Sequence, residues 1–140
     1  MNDPFNLQRF VDAQESVYAK VCAELRSGRK TSHWIWFIFP QFRGLGNSAM
    51  ANKFGIASRQ EAKAYLAHPA LGPRLRECTQ LVNRVQQGSI SQILGYPDDL
   101  KFRSSMTLFA NIATDSQVFK NALDKYFAGE PDPRTLVRLS

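Results

Sequence analysis

His33-Trp34-Ile35-Trp36-Phe37-Ile38-Phe39-Pro40 is the stretch on which the fold class turns. Its aromatic and β-branched residues favour a strand by propensity. Ser32, however, stands where a helix cap would, and Pro40 stands where a helix would stop. A segment that is apolar on every side fits a short helix at the centre of a core. A strand here would also have no partner, since no alternating pair of segments joined by Asn-Gly or Asp-Gly occurs in the chain. Read as a helix, the segment makes the whole protein all-α.

The flanking sequence agrees with that choice. Upstream, Asp3-Pro4 supplies a capping carboxylate and a first-turn proline. Phe10, Val17, Val21, Cys22 and Leu25 then recur at helical spacing as far as Gly28. Downstream, Ser58-x-x-Glu61 reads as a capping box for a helix over Arg59 to Ala67, ended by His68-Pro69. His68 at that helix end would suit an imidazolium facing the dipole. Leu71, Leu75, Cys78, Val82 and Val85 trace the next stripe, closed by Gly88. Pro97 opens a long helix through about Ile112. Thr114 or Asp115 caps another that carries Phe119, Leu123, Tyr126 and Phe127 to Gly129. Asp132-Pro133 then opens a last turn from Arg134 to Leu139. The expectation is one compact domain over residues 1–140, a bundle of about six to eight helices, several of them short.

Composition limits the function classes. With 140 residues, 44% hydrophobic and 21% charged, the chain can bury roughly two-thirds of its unfolded surface, which excludes a disordered chain. A net charge of +6 permits an anionic partner. The basic residues are dispersed, with Arg26-Ser27-Gly28-Arg29-Lys30 the densest group. Nucleic acid is the alternative partner, through Arg76, Gln80, Asn83, Arg84 and Gln87 along one helix. Cys22 and Cys78 lie far apart on apolar stripes and read as buried free thiols of a reducing cytoplasm. The N-terminus has no signal-peptide pattern. The longest apolar run, Trp34 to Pro40, is far short of the ~20 residues that span a bilayer. A cytoplasmic protein with no membrane partner is expected.

Polar residues on the wrong face mark the candidate site. Stepping about 100° per residue along the helix from Pro97 places Asp98, Lys101 and Ser105 among Phe102, Met106, Leu108, Phe109 and Ile112. Asp99, Arg103, Ser104, Thr107 and Asn111 fall on the opposite face. A carboxylate and an ammonium on an apolar stripe must be paired or reach water. Two readings stay open. In one, Asp98 and Lys101 pair with each other and Ser105 bonds back to the Lys101 carbonyl. In the other, Asp98, Lys101 and Ser105 form the polar floor of a pocket, with Ser104 or Ser105 and His33 close by. His33, walled by Trp34 and Trp36, is a candidate acid–base or ligand-orienting group. The loop Gln41-Phe42-Arg43-Gly44-Leu45-Gly46-Asn47-Ser48 adds Gln41 and a guanidinium, Arg43, suited to a phosphate or carboxylate. The loop lacks GxGxxG and GK[ST] spacing, and no metal-ligand spacing or GxSxG element occurs, so no cofactor and no metal is expected.

Four blocks carry a family likeness. They are Ser32 to Gln41; Glu61-Ala62-x-Ala64-Tyr65-Leu66-x-His68-Pro69-x-Leu71-Gly72-x-Arg74-Leu75; Asp98-x-x-Lys101-x-x-Ser104-Ser105-Met106-Thr107-Leu108-Phe109; and Gly129-x-x-Asp132-x-x-Thr135-Leu136. The chain resembles an uncharacterised, mainly bacterial domain family whose members often carry the automatic label "calpastatin". That resemblance implies an all-helical single domain and no established activity. Phe54-Gly55 stands where the family pattern carries Tyr-Ala. Calpain inhibition does not follow from the label, because inhibitory calpastatin segments are disordered repeats and this chain has ten Phe, two Trp and no repeat. A fainter likeness to a family acting on ADP-ribose-linked substrates transfers no residues. The functional expectation is a domain, binding or enzymatic, for a nucleotide or ADP-ribose-like anion. The alternative is a protein- or nucleic-acid-binding module.

Overall fold

The computed structural model describes residues 3–140 and contains ten helices. They are α1 (Gln8–Glu15), α2 (Tyr18–Arg26), α3 (Ile35–Ile38), α4 (Ala49–Lys53), α5 (Arg59–Ala67), α6 (Leu71–Arg84), α7 (Ile90–Leu94), α8 (Asp98–Ile112), α9 (Gln117–Phe127) and α10 (Pro133–Leu139). The only strand-like pairing among the described residues is an isolated parallel bridge between Phe42 and Ile56. The chain is an all-helical single domain.

The deciding segment is a single turn, α3, and it is central. Trp34, Ile35, Phe37, Ile38 and Phe39 are all buried. Helix α3 packs against α1, α6 and α8. Phe39 meets Phe102 of α8 edge-on, with ring centroids 4.8 Å apart. Phe37 meets Phe54, which in turn meets Phe10. Aromatic rings thus join α1, α3, α5, α8 and α9 through one continuous core.

Four local readings differ from the sequence expectation. The first helix is two, because the chain tightens where the Val17 N–H bonds the Gln14 carbonyl before α2 resumes. The Asp3 carboxylate does cap, but it reaches forward to the N–H groups of Leu7 and Gln8. Those bonds, Gln8 first, hold its pKa below the ordinary value. At α5 only half of the capping box forms. Ser58 Oγ accepts from the Glu61 N–H, while the Glu61 carboxylate turns to the Ala57 N–H and to Arg9, both at 2.8 Å. The complete box is Ser89 with Gln92, heading the short helix α7. Helix α9 starts after Ser116, whose side chain makes no cap bond.

Candidate functional site

The N-terminal turn of α8 holds two cations against one carboxylate. Asp98 Oδ2 lies 2.7 Å from Lys30 Nζ, and Asp98 Oδ1 lies 3.9 Å from Lys101 Nζ. The tighter partner is therefore Lys30, which the sequence places in the basic group after α2. Lys30 is anchored three ways. Its N–H bonds the Ile93 carbonyl at 2.7 Å, its ammonium sits 5.2 Å from the Trp34 ring, and its side chain is only 7% exposed. With Asp98 so engaged, the cluster keeps a net positive charge, and Lys101 is the more loosely held cation.

Lys101 and Gln41 stand where two depressions meet. The inner one is a niche of about 10 Å³ among Trp36, Phe39, Phe54 and Gly55, room for one water-sized group. The outer one is a cleft of about 290 Å³ between the Gln41–Gly46 loop, α8 and the start of α10. Arg103, Ser104, Asp132 and Arg134 line it together with Gln41 and Lys101. Backbone bonds fix Gln41, since the Ile56 N–H donates to the Gln41 carbonyl and the Arg43 N–H to the Ile56 carbonyl, both at 2.9 Å. Among the described residues the Gln41 carboxamide has no hydrogen-bond partner. Gly55 makes this approach possible, because a Cβ there would lie 2.6 Å from Arg43 Cα. An alanine at this position would therefore require the Arg43 backbone to move.

The far wall of the cleft is a closed polar clasp. Ser104 Oγ donates to Asp132 Oδ2 at 2.9 Å, and the Thr135 hydroxyl donates to the same oxygen at 2.6 Å. The Asp132 N–H donates to Thr107 Oγ1 at 2.8 Å, and the Thr107 hydroxyl donates to the Arg103 carbonyl. Asp132 also caps α10 at the Thr135 N–H. These bonds dock α10 on the face of α8 read as solvated, so Ser104 and Thr107 are buried. The clasp accounts for Ser104 and Thr107 of one family-like block and Asp132 and Thr135 of another, and leaves Asp98, Lys101 and Ser105 outside it. Arg103 extends along it, donating to the Glu130 and Pro131 carbonyls, and Arg134 donates to the Leu45 carbonyl across the cleft.

The expected site residues divide accordingly. Gln41, Lys101 and Ser104 come together at the cleft, with Asp98 behind Lys101. Ser105 is fully buried and its hydroxyl has no partner, so the expected bond to the Lys101 carbonyl is not made. Trp34 is 1% exposed and its indole N–H is committed to Glu24, which leaves Trp36 as the tryptophan at the niche. His33 is exposed and lines neither depression. The Arg43 guanidinium donates to the Asn52 and Gly55 carbonyls. His68 ends α5 as expected, and its Nδ1 takes the Ala70 and Leu71 N–H groups that open α6, so it caps the next helix as well. The supposed outward row on α6 is partly spent on α9. Arg76 donates to the Asp115 carbonyl and covers the Phe119 ring, and Asn83 donates to the Val118 carbonyl. Sequence reasoning missed Lys30, Arg103, Asp132 and Arg134. The block spacing marked Asp132, whereas nothing local marks Lys30.

Comparison with known proteins gives a family without a function. Residues 4–139 match the family described as "Protein of unknown function (DUF1810)", and the chain belongs to it. The chain is also similar to the crystal structure of the conserved hypothetical protein Rv1873 from Mycobacterium tuberculosis. The two are 58% identical, with 96% of each chain covered and a TM-score of 0.95. No curated protein matches the chain.

Proposed function

We propose that the cleft between the Gln41–Gly46 loop, α8 and α10 binds a small anionic ligand of the nucleotide or ADP-ribose type. The observation that carries this is the imbalance at Asp98, where Lys30 takes the carboxylate at 2.7 Å and leaves Lys101 at 3.9 Å, facing both depressions. A phosphate placed there would meet the Lys101 ammonium and the Gln41 amide, with Arg103 and Arg134 at the rim. Asp132 opposes this less than its charge implies, because one of its oxygens already accepts from Ser104 and twice from Thr135. The volume of about 290 Å³ suits the phosphate end of such a ligand. Leu100, exposed and lining the cleft, gives a nucleobase or ribose an apolar surface. Ser104 has no histidine or free carboxylate as a base, so the reading assigns binding and no reaction.

The test is a thermal-shift series with phosphate, AMP, ADP and ADP-ribose, repeated by calorimetry at two salt concentrations. A ligand at a hundred times its dissociation constant adds about 2.7 kcal/mol of stability, which moves the midpoint by several degrees. Lys101→Met should fold normally and lose the shift. No shift with any of these anions would overturn the reading. Tight, steeply salt-dependent binding of random DNA in their place would favour the nucleic-acid module.

A further inference from the structure

A second depression, of about 580 Å³, lies where α5, α6 and the α8–α9 connection meet, and none of its lining residues belongs to the cleft at Lys101. Its floor is apolar, formed by half-buried Leu66, Ile112 and Ala113, which pack against the core. Its rim carries charges of both signs from separate elements: Lys63 on α5, Arg76 on α6 and Asp115 in the connection. These charges are not spent on one another. Among the described residues, none of the three takes part in an ion pair. Arg76 is held in place by other means. One of its N–H groups donates to the Asp115 carbonyl at 2.8 Å, and its guanidinium stacks on the Phe119 ring at 5.2 Å. A guanidinium fixed in this way offers its remaining N–H groups with little rotamer freedom left to lose. Helices α5 and α8 both end at this depression, at Ala67 and Ile112, so the negative ends of two helix dipoles meet beside Asp115.

We propose that this depression binds a small zwitterion, a free α-amino acid with an apolar side chain. Each half of the site disfavours a simpler ligand. Two helix C-termini and a carboxylate oppose a bare anion, and Lys63 with Arg76 opposes a bare amine. An α-amino acid meets both conditions, with its carboxylate on Arg76 and Lys63 and its ammonium on Asp115. The spacing agrees. Arg76 is bonded to the backbone of the very residue that carries the carboxylate, so the opposite charges of the site lie side by side. In an α-amino acid the two charges are separated by a single carbon, whereas a dipeptide sets them apart by a further peptide unit. The ligand's side chain then covers Leu66, Ile112 and Ala113, and burying that apolar surface supplies the rest of the affinity. Because the site shares no residue with the anion cleft, the two readings stand or fall separately.

Isothermal titration calorimetry of the whole protein with L-leucine, L-methionine and L-phenylalanine gives the test, with isocaproate, isoamylamine and leucyl-leucine as controls. The expected result is saturable binding of at least one of the amino acids at millimolar concentration. Isocaproate and isoamylamine, each lacking one charge, should bind about tenfold more weakly or worse, since each gives up a charge-assisted contact. The dipeptide should also be the weaker ligand. Lys63→Gln and Asp115→Asn, both at exposed positions, should keep the wild-type thermal midpoint and weaken binding severalfold, and Lys101→Met should leave it unchanged. No binding of any of the three amino acids, equal affinity for either single-charge analogue, tighter binding of the dipeptide, or undiminished affinity in either rim variant would each overturn the proposal. Loss of binding in Lys101→Met would overturn it too, by placing the amino acid in the first cleft. If a rim variant fails to fold, the ligand series on the wild type decides alone.

Discussion

Glu24 and Asp98 are served by the same short segment, Lys30 to Trp34, and end in opposite states. Glu24 is 7% exposed, and its carboxylate accepts from the Thr31 N–H, the Ser32 N–H, the Ser32 hydroxyl and the Trp34 indole. The Asp98 side chain is 20% exposed and, among the described residues, meets only the ammonium groups of Lys30 and Lys101. The first carboxylate is saturated by groups that cannot leave without opening the core. The second is outnumbered by charges, one of them on a flexible stem beside a cleft. A closed network of this kind serves the fold, and an unbalanced one is where a ligand's charge can be used.

The harshest test of this contrast is Glu24→Ala. It leaves the Trp34 and Ser32 donors without an acceptor beneath the α2–α3 connection. The loss should be about 3 kcal/mol or more, since each buried unsatisfied group costs about 1–3 kcal/mol. A urea titration showing less than about 1 kcal/mol would mean that water replaces the carboxylate and that the network is not closed.

Acid should test the closed network at Glu24 next. Burial works against the Glu24 charge, yet the Ser32 hydroxyl, the Thr31 N–H, the Trp34 indole and the Ser32 N–H together lower its pKa from 4.5 to about 2. A depressed folded value stabilises the protein above the unfolded pKa, and that contribution is lost as pH falls from about 4.5 towards 2. The amount is on the order of 3 kcal/mol. Glu24→Gln should therefore be less stable than wild type at neutral pH and approach it at the acid end of this window. A constant gap between the two, followed by denaturant unfolding across the same pH range, would place the cause outside Glu24 ionisation.

At the open carboxylate the effects should be smaller in stability and larger in binding. Lys101→Met removes the looser partner and should change stability by less than about 1 kcal/mol. It should still abolish the anion-induced thermal shift. Lys30→Met gives a sharper comparison, because it leaves the cleft lining untouched and hands Asp98 to Lys101. Anion affinity should fall while Gln41, Lys101 and Arg134 remain. Undiminished affinity in Lys30→Met would show that the charge imbalance at Asp98 is not what makes Lys101 available.

What the sequence could show follows from how far each interaction reaches. Helical spacing and the Asp132-Pro133 cap are local, and both could be read directly. So could the wheel position that set Asp98, Lys101 and Ser105 among apolar residues. The length of α3 was less legible, because one turn has too few residues to show a period. The partner of Asp98 was not legible, because Lys30 reaches it from another element and resembles any surface lysine in its own neighbourhood. Ser104 and Thr107 fell on the face read as solvated because α10, which covers them, is distant in the chain.

Ser105 should give the smallest change, and it decides on which side of the comparison the underside of α8 belongs. Its hydroxyl is fully buried and unpartnered, one helical turn beyond Lys101 on the same face. A buried hydroxyl without a partner carries a desolvation cost and returns nothing for it. Alanine removes that cost, suits the helix interior slightly better and leaves a void of only one oxygen atom. Ser105→Ala should therefore be neutral or stabilising by up to about 1 kcal/mol in a reversible urea titration. With that outcome the core beneath Lys101 is closed, and the polar floor stops at Lys101 and Ser104. A loss above about 1 kcal/mol would mean that the hydroxyl holds a bound water or ligand atom, which extends the floor of the site inward to Ser105. Repeating the titration with a saturating anion separates the two occupants, since only a ligand contact makes the loss grow with anion present.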